Sequence, residues 1–192
     1  MLRNHPLAWI PARARLAVFL PLLVLTLLLM WVFTVTGAAL TTVAAPQGIV
    51  SFELARSTEQ AEQIVASWDA NARLRASFGL GLDYLFMPVY STTIGLACVW
   101  VADVLKRRPW PLAGMGIPLA WGLWLAALCD GIENLALTVM LWHGVATPWP
   151  TVASVCASIK FALIAFGLVY ALYGASAGTG ERYAHREQTR GG

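Results

Sequence analysis

Four ionisable residues stand inside apolar runs long enough to cross a bilayer: Asp83, Asp130, Glu133 and Lys160. A charge at membrane depth costs a few kcal/mol on insertion scales, so such residues face a protein interior, pair, and mark function. Asp130, Glu133 and Asn134 fall at i, i+3 and i+4, which places them on one helix face. At 1.5 Å rise per residue, Glu133 and Lys160 each lie about ten residues, roughly 15 Å, below the outer ends of consecutive spans. Equal depth and a short turn between the spans predict that they pair. Asp83 heads a second polar face, which Met87, Tyr90 and Ile94 continue.

Three carboxylates against one lysine exceed what packing requires, because buried polar contacts in membranes average under about 1 kcal/mol. Either one carboxyl keeps its proton through burial, or the site takes a cation or a donor-bearing ligand. A purely structural network that locks the helices together is the competing reading. Pro88 withdraws a backbone donor and frees the Tyr84 carbonyl, predicting a kink with Ser91, Thr92 and Thr93 as replacement partners.

The elements that position these groups follow from composition. The chain has 58% hydrophobic and 12% charged residues and a mean hydropathy of +0.65, against roughly 25% charged in a soluble domain. Spans are expected at about 16–36, 79–105, 112–142 and 151–173, joined by an outer loop over 37–78 and followed by a flexible cytoplasmic tail over 177–192. The first apolar core, about twenty residues, exceeds the 7–15 of a secretory signal and reads as an uncleaved anchor. The expected fold is an all-α, single-domain, antiparallel four-helix membrane bundle.

Nine of the thirteen Lys and Arg residues flank the spans on one side, so both termini are expected in the cytoplasm. The same asymmetry accounts for the net charge of +3 without a nucleic-acid partner. The bilayer is the expected partner, with oligomerisation or a larger membrane complex possible. Cys98, Cys129 and Cys156 form no Cys-x-x-Cys pair, and His5, His143 and His185 are scattered, so neither thiol redox chemistry nor a metal site is expected. No phosphate loop, nucleophile motif or cofactor motif occurs.

In the outer loop, 49–54 alternates enough to be strand or helix. Ser57 and Gln60 then form a capping-box pattern ahead of an extra amphipathic helix near 58–76. Ala61, Ile64, Val65, Trp68 and Ala72 make its apolar face. Such a helix either lies at the interface or covers an outward-opening cavity as a lid.

Phe52-Glu53-Leu54-Ala55, Trp68, Leu82-Asp83-Tyr84-Leu85-Phe86 with Tyr90, Asp130-x-x-Glu133-Asn134 and Lys160 together resemble a family of small, uncharacterised four-span bacterial membrane proteins. The resemblance runs from near Ile49 to the fourth span; it implies an inner-membrane location and no activity. A looser similarity is to the sterol isomerase and sigma-2 receptor group, whose acidic residues face a cavity holding an amine or a carbocation-like intermediate. It implies such parts for Glu53, Asp83 and Glu133, as fold-level analogy.

Three functions fit these residues. The first is a pocket for an amphipathic or lipid-like small molecule, with one carboxyl as proton donor, a second as acceptor, and Lys160 holding one of them ionised. The second is an accessory or assembly subunit with a structural polar network. The third is a proton- or cation-coupled transporter. Candidate residues are Asp83, Tyr90, Asp130, Glu133, Asn134 and Lys160, with Glu53 and Trp68 from the outer loop.

Overall fold

Apolar runs of bilayer length must satisfy their backbone groups internally, which makes them helices. The computed structural model describes residues 5–107 and 110–190, with side chains as far as 176. It contains six α-helices: α1 (Arg15–Gly37), α2 (Ile49–Glu53), α3 (Thr58–Ser67), α4 (Ala70–Lys106), α5 (Gly116–His143) and α6 (Trp149–Arg190), with no strand among the described residues. Four stretches, Ala12–Leu40, Ala70–Lys106, Gly116–His143 and Trp149–Ser176, are long and apolar enough to cross a membrane. By length and composition the chain is therefore a multi-pass membrane protein.

Several boundaries differ from the sequence expectation. Span two begins at residue 70 rather than 79, because the Asp69 side chain accepts the Ala72 N–H at 2.7 Å and caps a new helix there. The same cap ends the extra loop helix at Ser67 instead of near 76, with Trp68 in extended backbone between α3 and α4. Span three begins at Gly116 rather than 112, since Leu112 adopts φ 67° in the preceding turn. The 49–54 segment resolves to the short helix α2. Around α3, Ser57 accepts the Gln60 N–H at 3.2 Å, while Gln60 reaches back one residue further than a capping box requires, to the N–H of Arg56. Beyond Pro88, Ser91 and Thr93 turn their hydroxyls onto the carbonyls of Pro88 and Val89, not that of Tyr84. The tail expected over 177–192 has backbone within α6 as far as Arg190, and its side chains lie outside the described set.

The bundle is built around α5, which packs extensively on both α4 and α6. Short connections over 107–115 and 144–148 make these successive helices antiparallel neighbours. Helix α1 leans on α4 and has at most marginal contact with α6, leaving a gap between the two. Helices α2 and α3 fold down onto the end of the bundle, where Phe52, Ile64 and Trp68 bury against Leu137, Met140 and Ala153. Trp68 is fixed there by its indole N–H donating to the Leu40 carbonyl at 2.8 Å and by edge-on contact with Phe52. Outward-facing Leu20, Val24, Trp31, Leu128, Leu135 and Val169 remain exposed, an apolar coat suited to lipid rather than water.

Small residues set how closely the helices approach. A Cβ added to Gly116 would lie 2.5 Å from both the Cys98 carbonyl oxygen and the Ala102 Cβ, so α5 can seat on α4 only with glycine there. Replacing Gly116 by Val is expected to destabilise the protein by about 1–3 kcal/mol through overpacking. Thermal unfolding in detergent checks this; unchanged stability would show that the α4–α5 seat is not close-packed.

Candidate functional site

Lys160 projects from α6 into the bundle, and its side chain is almost fully buried. Its ammonium donates to Glu133 Oε1 at 2.9 Å and to Asp130 Oδ1 at 3.0 Å. A third carboxylate, Glu53 at the end of α2, places Oε2 3.6 Å away, which is an ion pair but not a hydrogen bond. The i, i+3 spacing on α5 is what lets Asp130 and Glu133 share one cation. The expected Lys160–Glu133 pair is therefore present as part of a larger cluster.

The polar chain continues away from the lysine. Tyr90 on α4 donates its hydroxyl to Asp130 Oδ2 at 3.1 Å. Asn134 donates to Asp83 Oδ2 at 2.8 Å and approaches the Leu80 carbonyl at 3.4 Å. The structure thus gathers seven of the eight expected site residues in one region: Glu53, Tyr90, Asp130, Glu133 and Lys160 linked around the ammonium, and the Asp83–Asn134 pair beside them on the same cavity wall. Trp68 is the exception: it ties the α3–α4 junction to Leu40, in the turn that follows α1, and packs in the apolar cluster instead.

One face of this network borders a cavity of about 230 Å³. Asp83, Tyr90, Asp130, Asn134, Lys160 and Glu53 supply its polar wall, and Phe33, Phe86, Phe161 and Ile164 supply apolar surface. Phe33 meets Phe86 edge-on at 5.3 Å, Phe86 meets Tyr90 at 5.1 Å, and the Lys160 ammonium lies 4.7 Å from the centre of the Phe161 ring. The cavity occupies the gap between α1 and α6, with Ile49 and Val50 of α2 on its wall. Glu133 is fully buried and does not line it. The cluster therefore has two halves, an enclosed one at Glu133 and one that faces open space at Asp83.

Charge does not balance within the cluster. Glu53, Asp130 and Glu133 converge on a single buried ammonium, Asp83 adds a fourth carboxylate nearby, and Arg75 is a further cation on the cavity wall. Glu53 Oε2 and Glu133 Oε2 are buried without a hydrogen-bond partner among the described residues. Burial pushes the Glu53 carboxyl above its ordinary range, with Asp130 adding to the rise and Lys160 opposing it. No group of three or more His, Cys, Asp or Glu among the described residues is arranged to hold a metal ion.

Arg75, Phe33 and Phe161 carried no sequence signal, since an exposed arginine and apolar span residues are ordinary, and Phe86 entered only through the motif that carries the resemblance. A second polar cluster was equally silent. At the far end of the bundle Arg15 pairs with Asp103 at 3.0 Å and lies 3.4 Å from the buried His5 ring. Burial, reinforced by Arg15, holds the His5 imidazole below its ordinary range.

Replacing Lys160 by Met leaves Asp130 and Glu133 facing each other in a low-dielectric interior, at an expected cost of about 3–5 kcal/mol. Adding Glu133→Gln should restore part of that stability, and adding Asp130→Asn should restore more. Melting temperatures of the solubilised single, double and triple variants provide the check. Strictly additive losses would mean that the lysine does not hold these acids.

Comparison with known proteins leaves the site to be interpreted from its own chemistry: no family model, curated protein or solved structure matches this chain.

Proposed function

We propose that this protein binds an amphipathic or lipid-like small molecule, whose polar end sits beside Asp83 and Asp130 and whose apolar part leaves the bundle between α1 and α6. The observation that carries this reading is the position of the cavity. It joins an acidic wall at membrane depth to a gap between two lipid-facing helices, which gives access from the bilayer. Its volume of about 230 Å³ is below the roughly 300–1,000 Å³ of pockets that enclose a whole drug-sized ligand. A headgroup fits inside while a hydrocarbon tail lies against Phe33, Phe161 and Ile164. The carboxylates outnumber the cations around them, which favours a ligand that brings hydrogen-bond donors.

The distribution of basic residues supports an orientation with both termini in the cytoplasm. On that orientation α2 and α3 lie on the outer face and the cavity opens toward the outer leaflet. The enclosed half of the cluster supports a structural role as well, because Glu133, which does not line the cavity, accepts from Lys160 and ties α5 to α6.

Gly79 borders the cavity, and a Cβ built there meets nothing within 4 Å. Gly79→Phe therefore starts its side chain in open space and is expected to fill part of the cavity. Mass spectrometry of lipids and metabolites that co-purify should find a species enriched on the wild-type protein and depleted about tenfold or more, about 1.4 kcal/mol, on the filled variant. No enriched species, or equal enrichment on both proteins at matched stability, would contradict a ligand cavity.

A further inference from the structure

We propose that Glu53 and Glu133 bind one proton between them, and that this shared proton latches α2 onto the bundle above the cavity. The two carboxyls come from separate elements, Glu53 from the short outer helix α2 and Glu133 from the middle of α5. Both approach the same Lys160 ammonium, Glu53 through Oε2 at 3.6 Å and Glu133 through Oε1 at 2.9 Å, which sets the two carboxyls side by side. In each, Oε2 is buried without a hydrogen-bond partner among the described residues, that of Glu53 being the oxygen that faces the ammonium at 3.6 Å. Glu133 is completely enclosed and Glu53 is nine-tenths buried. A buried acceptor without a donor costs about 1–3 kcal/mol, more if charged. Two adjacent carboxyls remove that cost together when one is protonated and donates to the other, and a pair so close cannot readily ionise twice.

Among the described residues, every charged group facing the pair acts in the same direction or is already engaged, and the thiols of Cys129 on α5 and Cys156 on α6 stand beside Glu133. Lys160 is divided among three carboxylates, Asp130 is bonded to both Lys160 and Tyr90, and Asp83 adds negative charge from α4. Arg75 lies on the cavity wall and forms its side-chain hydrogen bond with Asn71. The single proton is thus the donor that completes the site. Its loss to water would leave two carboxylates repelling each other across the α2–α5 contact. Helix α2 has only five residues, and its Ile49 and Val50 wall the cavity, so its release would uncover the cavity.

The sign of the pH dependence follows from Glu53, whose carboxyl is held above its ordinary range in the folded protein. The docking that this proton supports is complete below the unfolded carboxyl value of about 4.3. It declines as pH rises from there through the higher folded value. The latch holds whether or not the cavity takes an amphiphile, so its test uses no ligand.

Infrared spectroscopy of the full chain in lipid vesicles, with glutamate labelled in heavy carbon, reads the proton directly. At neutral pH a protonated glutamic-acid carbonyl band is expected in the wild type. It should vanish in both Glu53→Gln and Glu133→Gln, because the amide then donates to the remaining carboxylate. Absence of the band from the wild type, or its survival in either variant, overturns the shared proton. Amide hydrogen exchange of 49–53 reads the latch without relying on a variant's fold. After correction for intrinsic exchange, wild-type protection should fall about tenfold or more between pH about 5 and about 9, in step with the band. Protection in Glu53→Gln should stay flat. A flat wild-type profile, or the same fall in Glu53→Gln, overturns the latch.

Discussion

The ammonium of Lys160, shared among carboxylates from two other elements, is the contact on which the arrangement of the interior depends. A lone lysine at this depth would be expensive to bury, and so would each acid. Their mutual contact makes α6 lie against the Asp130–Glu133 face of α5 and draws Glu53 of α2 down onto the same point. Breaking such a cluster from one side strands charge, so each partner constrains the others. The consequence is a bundle whose outer segment is tied to its core by charge as well as by the apolar packing of Phe52, Ile64 and Trp68.

The same cluster divides between structure and open space. Glu133 is enclosed, while Asp83 and Asp130 border the cavity and are held by Asn134 and Tyr90. Hydrogen bonds from neighbouring helices orient both carboxylates, and Asp130 is paired with Lys160 as well. An acidic wall therefore faces a gap in the lipid-facing surface, the feature that separates this bundle from one held together by buried polar contacts alone.

Depth and periodicity made much of this legible in the sequence. The i, i+3, i+4 spacing put Asp130, Glu133 and Asn134 on one face, and matched depth paired Glu133 with Lys160; the structure has both. Periodicity says nothing about where a loop folds back, so the path that carries Glu53 to Lys160 had no signal in spacing. The outer helix read too long because Ala61 to Ala72 keeps an unbroken apolar period, and the capping aspartate Asp69 that interrupts it is an ordinary loop residue until its bond to Ala72 is seen. The start of α5 moved because Leu112 takes a left-handed turn that its residue type does not announce. Leucine at positive φ reflects tertiary context: the Leu112 carbonyl accepts from Met115 N–H and from the Tyr170 hydroxyl. His5, Arg15 and Asp103 meet only through the packing of the N-terminal segment on α4, which no local pattern encodes.

A density map of the protein purified in native lipid, with nothing added, tests the central claim most directly. An acidic cavity reached from the bilayer should contain ordered non-protein density between Asp83 and Lys160, continuing as a tail between α1 and α6. A map in which α1 and α6 close on each other, with Phe33 against Phe161 and no space beside Asp83, would contradict the account.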